Sequence, residues 1–274
     1  MPIYFQYILE NNYLNIDSFD KINNYDKVIH INCSCLDNKL TELPNLPNSL
    51  QYLCCSYNKL TLLPKLPKLI HEIICNNNKL TLLSELPYSL TKLNCSNNQL
   101  TSLPELPNSL REIWCGYNQL NVLPKLSDLL EILNCSNNKL NLLPDFPNVF
   151  KILNCNNNQL TSLPKLPNGI QTLECRLNQL TSLPNLSNDI YFIGCGDNQI
   201  TVLPKLPNLL RTLECENNKL TSLPKLPNLL QELYCSNNQL TSLPELPKSL
   251  LLLECENNKF FKKNNYTYIN KIID

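Results

Sequence analysis

The chain contains no alanine at all and only four glycines among 274 residues. A loop that lets backbone approach a phosphate closely depends on glycine, so the scarcity excludes Gly-rich nucleotide sites. Histidine is confined to His30 and His71, with no Ser/His/Asp set and no acidic metal cage in the sequence. The formal net charge is +0, which removes the electrostatic footprint of a nucleic-acid binder or an acidic-membrane binder. No apolar run reaches the length that spans a bilayer. The segment Met1 to Glu10 has neither the basic start nor the long apolar stretch of a secretory signal. These absences predict a non-enzymatic cytoplasmic protein that holds no cofactor and no metal and binds neither nucleic acid nor membrane.

What the chain has in excess is repetition. A cysteine recurs every twenty residues from Cys35 to Cys255, and an asparagine three places on keeps the same step from Asn38 to Asn258. Leu100 to Pro107 returns letter for letter as Leu240 to Pro247. A fixed period of this length marks a repeat solenoid, whose units bury their apolar sides only against their neighbours. The expected organisation is an N-terminal cap over residues 1–29, a solenoid over 30–260 and a C-terminal cap over 261–274. Ile3, Phe5, Tyr7, Ile8 and Tyr13 can cover the first raw end, and Asp17 or Ser18 can start a short helix there. Phe260, Phe261, Tyr266, Tyr268, Ile269 and Ile272 are the matching residues at the other end.

The stretch Leu50 to Leu69 shows one coil. Leu53 and Cys55 alternate with polar positions, the period-two sign of a half-buried strand, and Leu50 anchors its start. Asn58 turns the chain, and Leu60, Leu63 and Leu66 point back into the same core. Pro64 and Pro67 forbid a regular helix on the return side and favour an extended, polyproline-like segment. About twelve such strands stacked in parallel at about 4.8 Å give one sheet roughly 55 Å long, lining the inner surface of a gently curved arc. The asparagine column has a structural task, since its amide both donates and accepts hydrogen bonds and can satisfy buried turn groups from coil to coil.

The 14 cysteines form a ladder rather than a disulfide framework, because twelve of them share one repeat position. A reducing compartment fits that arrangement. Cys33, Cys35, Cys54 and Cys55 cluster near His30, and mixed Cys/His sets can hold zinc. Alternation, however, turns Cys33, Cys35 and Cys55 inward and Cys54 outward, and His30 takes an inward leucine place. Cysteine as a small apolar core residue is the better reading.

The segment L-x-x-L-x-C-x-x-N-x-L resembles the highly repeated part of leucine-rich repeat proteins, with Cys where many members carry Leu. Eleven copies plus a partial first one, opening at His30 and Cys33, cover most of the chain. The twenty-residue length with L-P-x-L-P returns is similar to the short class found in secreted bacterial effectors of animal hosts. The Asn-rich, Ala-free wording is also similar to leucine-rich repeat proteins encoded by giant viruses of amoebae. Some effectors of the short class carry a C-terminal ubiquitin-ligase domain with a catalytic cysteine; the residues after the last coil here include no Cys, so that activity is not carried over. The resemblance implies a viral or effector-like protein-binding scaffold at work in a host cell cytoplasm.

With the framework fixed, specificity falls to the positions that vary, on the expected inner face. One group is aromatic: an exposed Trp114, Tyr117, Arg111 on the same strand, and Tyr52 and Tyr57 nearer the N-terminus. Large aromatics with Arg are typical of interface hot spots. Tyr191, Phe192 and Tyr234 form a second group. A third is acidic: Glu174, Glu214, Glu216, Glu254 and Glu256 with Asp197, suited to a basic partner. The bland alternative is repeat drift on solvated positions. The function expected is a protein–protein interaction scaffold. Its rivals are a substrate-recognition subunit for a ubiquitin ligase supplied in trans, and a thiol-rich metal or redox protein. A monomer is expected, with an exposed sheet rim as the place for any self-association.

Overall fold

A computed structural model describes residues 22, 24–34 and 40–260 in full, and the backbone of 5–9, 12–16 and 269–270. Of the side chains named for the caps only Phe260, half-buried, is described; the others, the helix start at Asp17 or Ser18, and the repeat positions Cys35 and Asn38 lie outside the described residues. The chain divides into two compact units, Met1–Lys139 and Leu140–Asp274. Among the described residues no α-helix occurs, and no helix there is long and apolar enough to cross a membrane.

In the first unit, β1 (Phe5–Leu9) and β2 (Asn12–Ile16) form an antiparallel hairpin, and β1 pairs antiparallel with β3 (His30–Asn32). From β3 the sheet runs parallel through β4 (Tyr52–Cys54), β5 (Glu72–Ile74), β6 (Lys92–Asn94), β7 (Glu112–Trp114) and β8 (Ile132–Asn134). The second unit repeats the pattern with β9 (Ile152–Asn154), β10 (Thr172–Glu174), β11 (Phe192–Gly194), β12 (Thr212–Glu214), β13 (Glu232–Tyr234) and β14 (Leu252–Glu254). There β15 (Ile269–Asn270) closes the edge antiparallel to β14. Both antiparallel additions pair a strand edge that would otherwise invite another chain.

Each coil is built as the pattern of Leu50 to Leu69 predicts. Leu50, Leu53, Cys55 and Leu60 are all 0% exposed. The second proline of the return side opens a β-turn closed by hydrogen bonds such as Leu110 N–H to Pro107 O at 3.0 Å. Where Ser127 replaces that proline the turn persists, and the Ser127 hydroxyl donates to Asn108 O one coil earlier at 2.8 Å.

The asparagine column does the satisfying expected of it. Asn118 Nδ2 donates to Cys95 O, Cys115 O and Gly116 O at 3.0, 3.1 and 3.2 Å, and its Oδ1 accepts Leu100 N–H at 3.0 Å. One side chain thus caps four backbone groups across two coils. The residue before it has a separate task that the sequence reading missed. From Tyr57 to Asn257 this position is left-handed in every coil, with φ between 53° and 57°. Asn tolerates that conformation better than other residues with a Cβ, which explains the Asn-Asn doublets.

The first coil corrects the sequence reading. Ile31 pairs with Leu53, and Cys33 N–H donates to Cys54 O as Cys55 N–H does to Ile74 O. Cys33, fully buried, therefore holds the ladder place assigned to Cys35, because this coil is two residues longer than the rest. The same register puts His30 beside Tyr52 on the sheet face, not in the core, with the rings stacked at 4.1 Å.

Candidate functional site

Strand alternation sends the first and third strand residues, and the residue after each ladder cysteine, to one face of the sheet. The central strand residue and the cysteine point into the core. The residues on that face change from coil to coil, and each unit has its own chemistry.

On the first unit, Trp114 stands on β7 but is half-buried rather than fully exposed, because Asn94 and Asn134 flank it in register. Arg111 is not part of the strand. It precedes β7 at the exposed edge of the coil, where its guanidinium pairs with Glu131 at 3.0 Å. Tyr57 and Tyr117 occupy the left-handed turn position beyond the strands and are 46% and 57% exposed. Tyr52 lies on the face against His30, and burial, with the Cys54 thiol and Glu72 carboxylate adding to it, pushes its phenol up to about 12. The aromatic island thus resolves into two sets: Tyr52 and Trp114 on the sheet, Tyr57 and Tyr117 along its rim.

Cys54 also departs from expectation. It sits in a face column, yet is only 8% exposed, covered by Ser34 Oγ at 2.9 Å and flanked by Ser56 Oγ at 3.8 Å. Among the described residues no group of three or more His, Cys, Asp or Glu side chains is placed to hold a metal ion. The ladder thiols are poor ligands for a second reason. Burial pushes Cys95, Cys135 and Cys175 up to about 12, whereas a nucleophile or ligand must be the thiolate.

On the second unit, Phe192 and Tyr234 lie on the face, while Tyr191 sits at the coil edge, 42% exposed. Tyr234 is paired in register between Glu214 and Glu254. Burial and then the carboxylates of Glu232, Glu254 and Glu214 raise its pKa. The face columns of this unit carry Glu174, Glu214, Glu216, Glu232, Glu254 and Glu256 against a single cation, Arg176.

Three neighbouring coils share one arrangement that the sequence reading took for a plain acidic stretch. Arg176 reaches across an entire coil to Glu214 at 2.8 Å and to Glu216, with Asp197 3.7 Å away. The coil it crosses presents Gly194 and Gly196. A Cβ on Gly196 would lie 2.7 Å from Glu216 Oε1, and one on Gly194 would lie 3.5 Å from Arg176 Cδ. Burial works against the Arg176 charge, but Glu216, Glu214 and Asp197 outweigh it and raise the guanidinium pKa. Burial in turn raises the Glu216 pKa. Glu174 is held separately, its Oε2 accepting Asn154 Nδ2 and Asn156 Nδ2 at 2.9 Å each. The legible signal for this cluster was two of the chain's four glycines falling in one coil.

No protein-family profile matches the chain, and no curated protein matches it. Solved structures do. YopM from Yersinia enterocolitica is 35% identical with a TM-score of 0.74, over 86% of this chain and 56% of that one. YopM of Yersinia pestis, described as a leucine-rich effector protein, is 36% identical with a TM-score of 0.71, over 81% of this chain and 70% of that one. A leucine-rich repeat protein of Leptospira interrogans is 26% identical with a TM-score of 0.56, over 82% of this chain and 78% of that one. The chain therefore spans little more than half of the Y. enterocolitica protein. With its strand-and-return coils, its core of leucines and its asparagine column, the chain belongs to the leucine-rich repeat proteins.

Proposed function

We propose that this chain is a non-enzymatic protein-interaction scaffold whose sheet faces hold a protein partner. The observation that carries the reading is the separation of roles along each coil. Buried columns repeat Leu, Cys and Asn almost without change, whereas the face columns change from coil to coil and carry Trp114, Tyr234 and most glutamates of the second unit. A face that served only solvation would not need Trp114 set between Asn94 and Asn134 or Arg176 carried over a glycine coil. The first unit offers Trp114 and Tyr52 as anchors, with Tyr57, Tyr117 and Arg111 along the rim. The second offers Phe192 and Tyr234 among carboxylates, with Tyr191 at the edge, which suits a basic partner surface. Free, high-pKa thiols suit a reducing cytoplasm, and the short repeat and Asn-rich wording suit a viral protein or an effector working in a host cell.

Affinity capture from host-cell lysate tests the reading when variants are run in parallel. Trp114→Ala removes the largest anchor and should weaken binding of the captured companion by at least about 1–2 kcal/mol. Glu254→Lys with Glu256→Lys should do the same for a basic partner. A return-side change such as Leu82→Lys should leave binding intact. Capture that survives both face variants would refute the proposal.

A further inference from the structure

We infer that the sheet face of the first unit carries a notch for one aliphatic side chain of a partner segment, with a basic residue beside that side chain. The inference rests on the interaction role proposed above and specifies its ligand chemistry. Ile74, Asn94 and Trp114 hold the same position on β5, β6 and β7 and are paired in register, so they stand in a row about 4.8 Å apart. The middle member is the smallest and is polar. Its Oδ1 accepts Ser96 N–H at 3.2 Å, which ties the amide to its own coil. A depression of about 180 Å³ results, lined by Glu72, Ile73, Ile74, Lys92, Asn94 and Trp114.

Size decides what can enter. The volume lies below the roughly 300–1,000 Å³ of small-molecule sites, and it matches a single side chain rather than a metabolite. Chemistry narrows it further. Two opposed apolar walls, an isoleucine and an indole, favour an aliphatic chain through dispersion contact. On the rim, Lys92 is neutralised by Glu112 at 3.3 Å, whereas Glu72 makes no ion pair among the described residues. The unbalanced rim charge is therefore a carboxylate, which selects Lys or Arg next to the aliphatic anchor.

Trp114 is the only tryptophan of the chain, so its fluorescence reports on the notch directly. The test is to pan a random linear peptide library against the full chain and measure the enriched peptides by Trp114 emission. Enriched peptides should carry Leu, Ile or Met beside Lys or Arg and should shift that emission. Asn94→Phe fills the notch from below and should weaken them by at least about tenfold, with an unchanged circular-dichroism spectrum. Asn94→Ser keeps a small residue there and should preserve binding, which guards against a folding defect in the first variant. Glu72→Gln should weaken binding and flatten its salt dependence. A library that enriches nothing, peptides without the aliphatic anchor, an unmoved Trp114 emission, or full binding to Asn94→Phe would each overturn the inference. A native companion sensitive to Trp114→Ala but indifferent to Asn94→Phe would remove the notch and leave the scaffold reading standing.

Discussion

Alkali should unfold this protein far below the pH at which most domains fail, and the cysteine ladder sets the magnitude. An unfolded thiol titrates near 8.5. In the fold, burial raises the pKa of nine ladder thiols from Cys55 to Cys235, to about 12 for Cys95, Cys135 and Cys175. The sign follows from linkage: above pH 8.5 the folded state binds more protons than the unfolded one, so stability falls as pH rises. The contribution is complete below about pH 8 and is lost progressively between the unfolded value and about 12. At pH 9.5 each thiol costs on the order of 1 kcal/mol, and nine of them together cost on the order of 10 kcal/mol. That is comparable to the whole stability of an ordinary domain, about 5–15 kcal/mol. Urea midpoints followed by circular dichroism under reductant, from pH 7 to 9.5, should fall steeply before tyrosine and lysine titrate. Replacing three central ladder cysteines by valine should lower the slope by about 4 kcal/mol per pH unit. Flat midpoints over that range would show that the ladder thiols ionise freely in the fold and that the core is not closed around them.

Three further outcomes follow from single side chains. Asn118→Ala strands Leu100 N–H and three carbonyls and should cost about 2–4 kcal/mol by chemical denaturation; a loss under 0.5 kcal/mol would mean that the four hydrogen bonds of this side chain are replaceable. Leu177, 52% exposed at φ 54°, is the wrong residue for a left-handed position, so Leu177→Asn should stabilise by about 0.5–1 kcal/mol; a lower melting temperature would contradict the assignment. Arg176→Met and Gly196→Ala should each cost about 1–2 kcal/mol after allowing for partial solvent screening. Their double variant should cost clearly less than the two effects added, and strict additivity would show that the glycine is not there to admit the ion pair.

The sequence carried the architecture because a solenoid writes its core as a period. Leu53, Cys55, Asn58 and Leu60 recur in register, and what is true of one coil is true of its neighbours. The reading failed where the period itself slipped. Cys33 and Cys35 both fit the first rung, and only strand pairing distinguishes them; once Ile31 is matched to Leu53, His30 leaves the core. Local alternation also misjudged exposure on the sheet face. Trp114 is half-buried because a flat face of closely spaced strands lets large side chains lean on their neighbours, and Arg111 lies just outside a strand only three residues long. The left-handed turn was legible in the Asn-Asn doublets but hidden by attention to the second asparagine alone. The Arg176 cluster was not legible as an ion pair, since its partners lie 38 and 40 residues away and meet only because the coil between them has glycine at the two intervening face positions, Gly194 and Gly196.

That glycine coil alters how the second unit should come apart. In a stack of like rungs, losing one ordinarily weakens only the rungs above and below it. Here a charge on one rung is tethered to acids two rungs on, so three consecutive rungs are coupled as a block. Excising residues 191–210 would shorten the stack and yet bring Arg176 alongside its two glutamates, making this the rung whose deletion the protein should tolerate best.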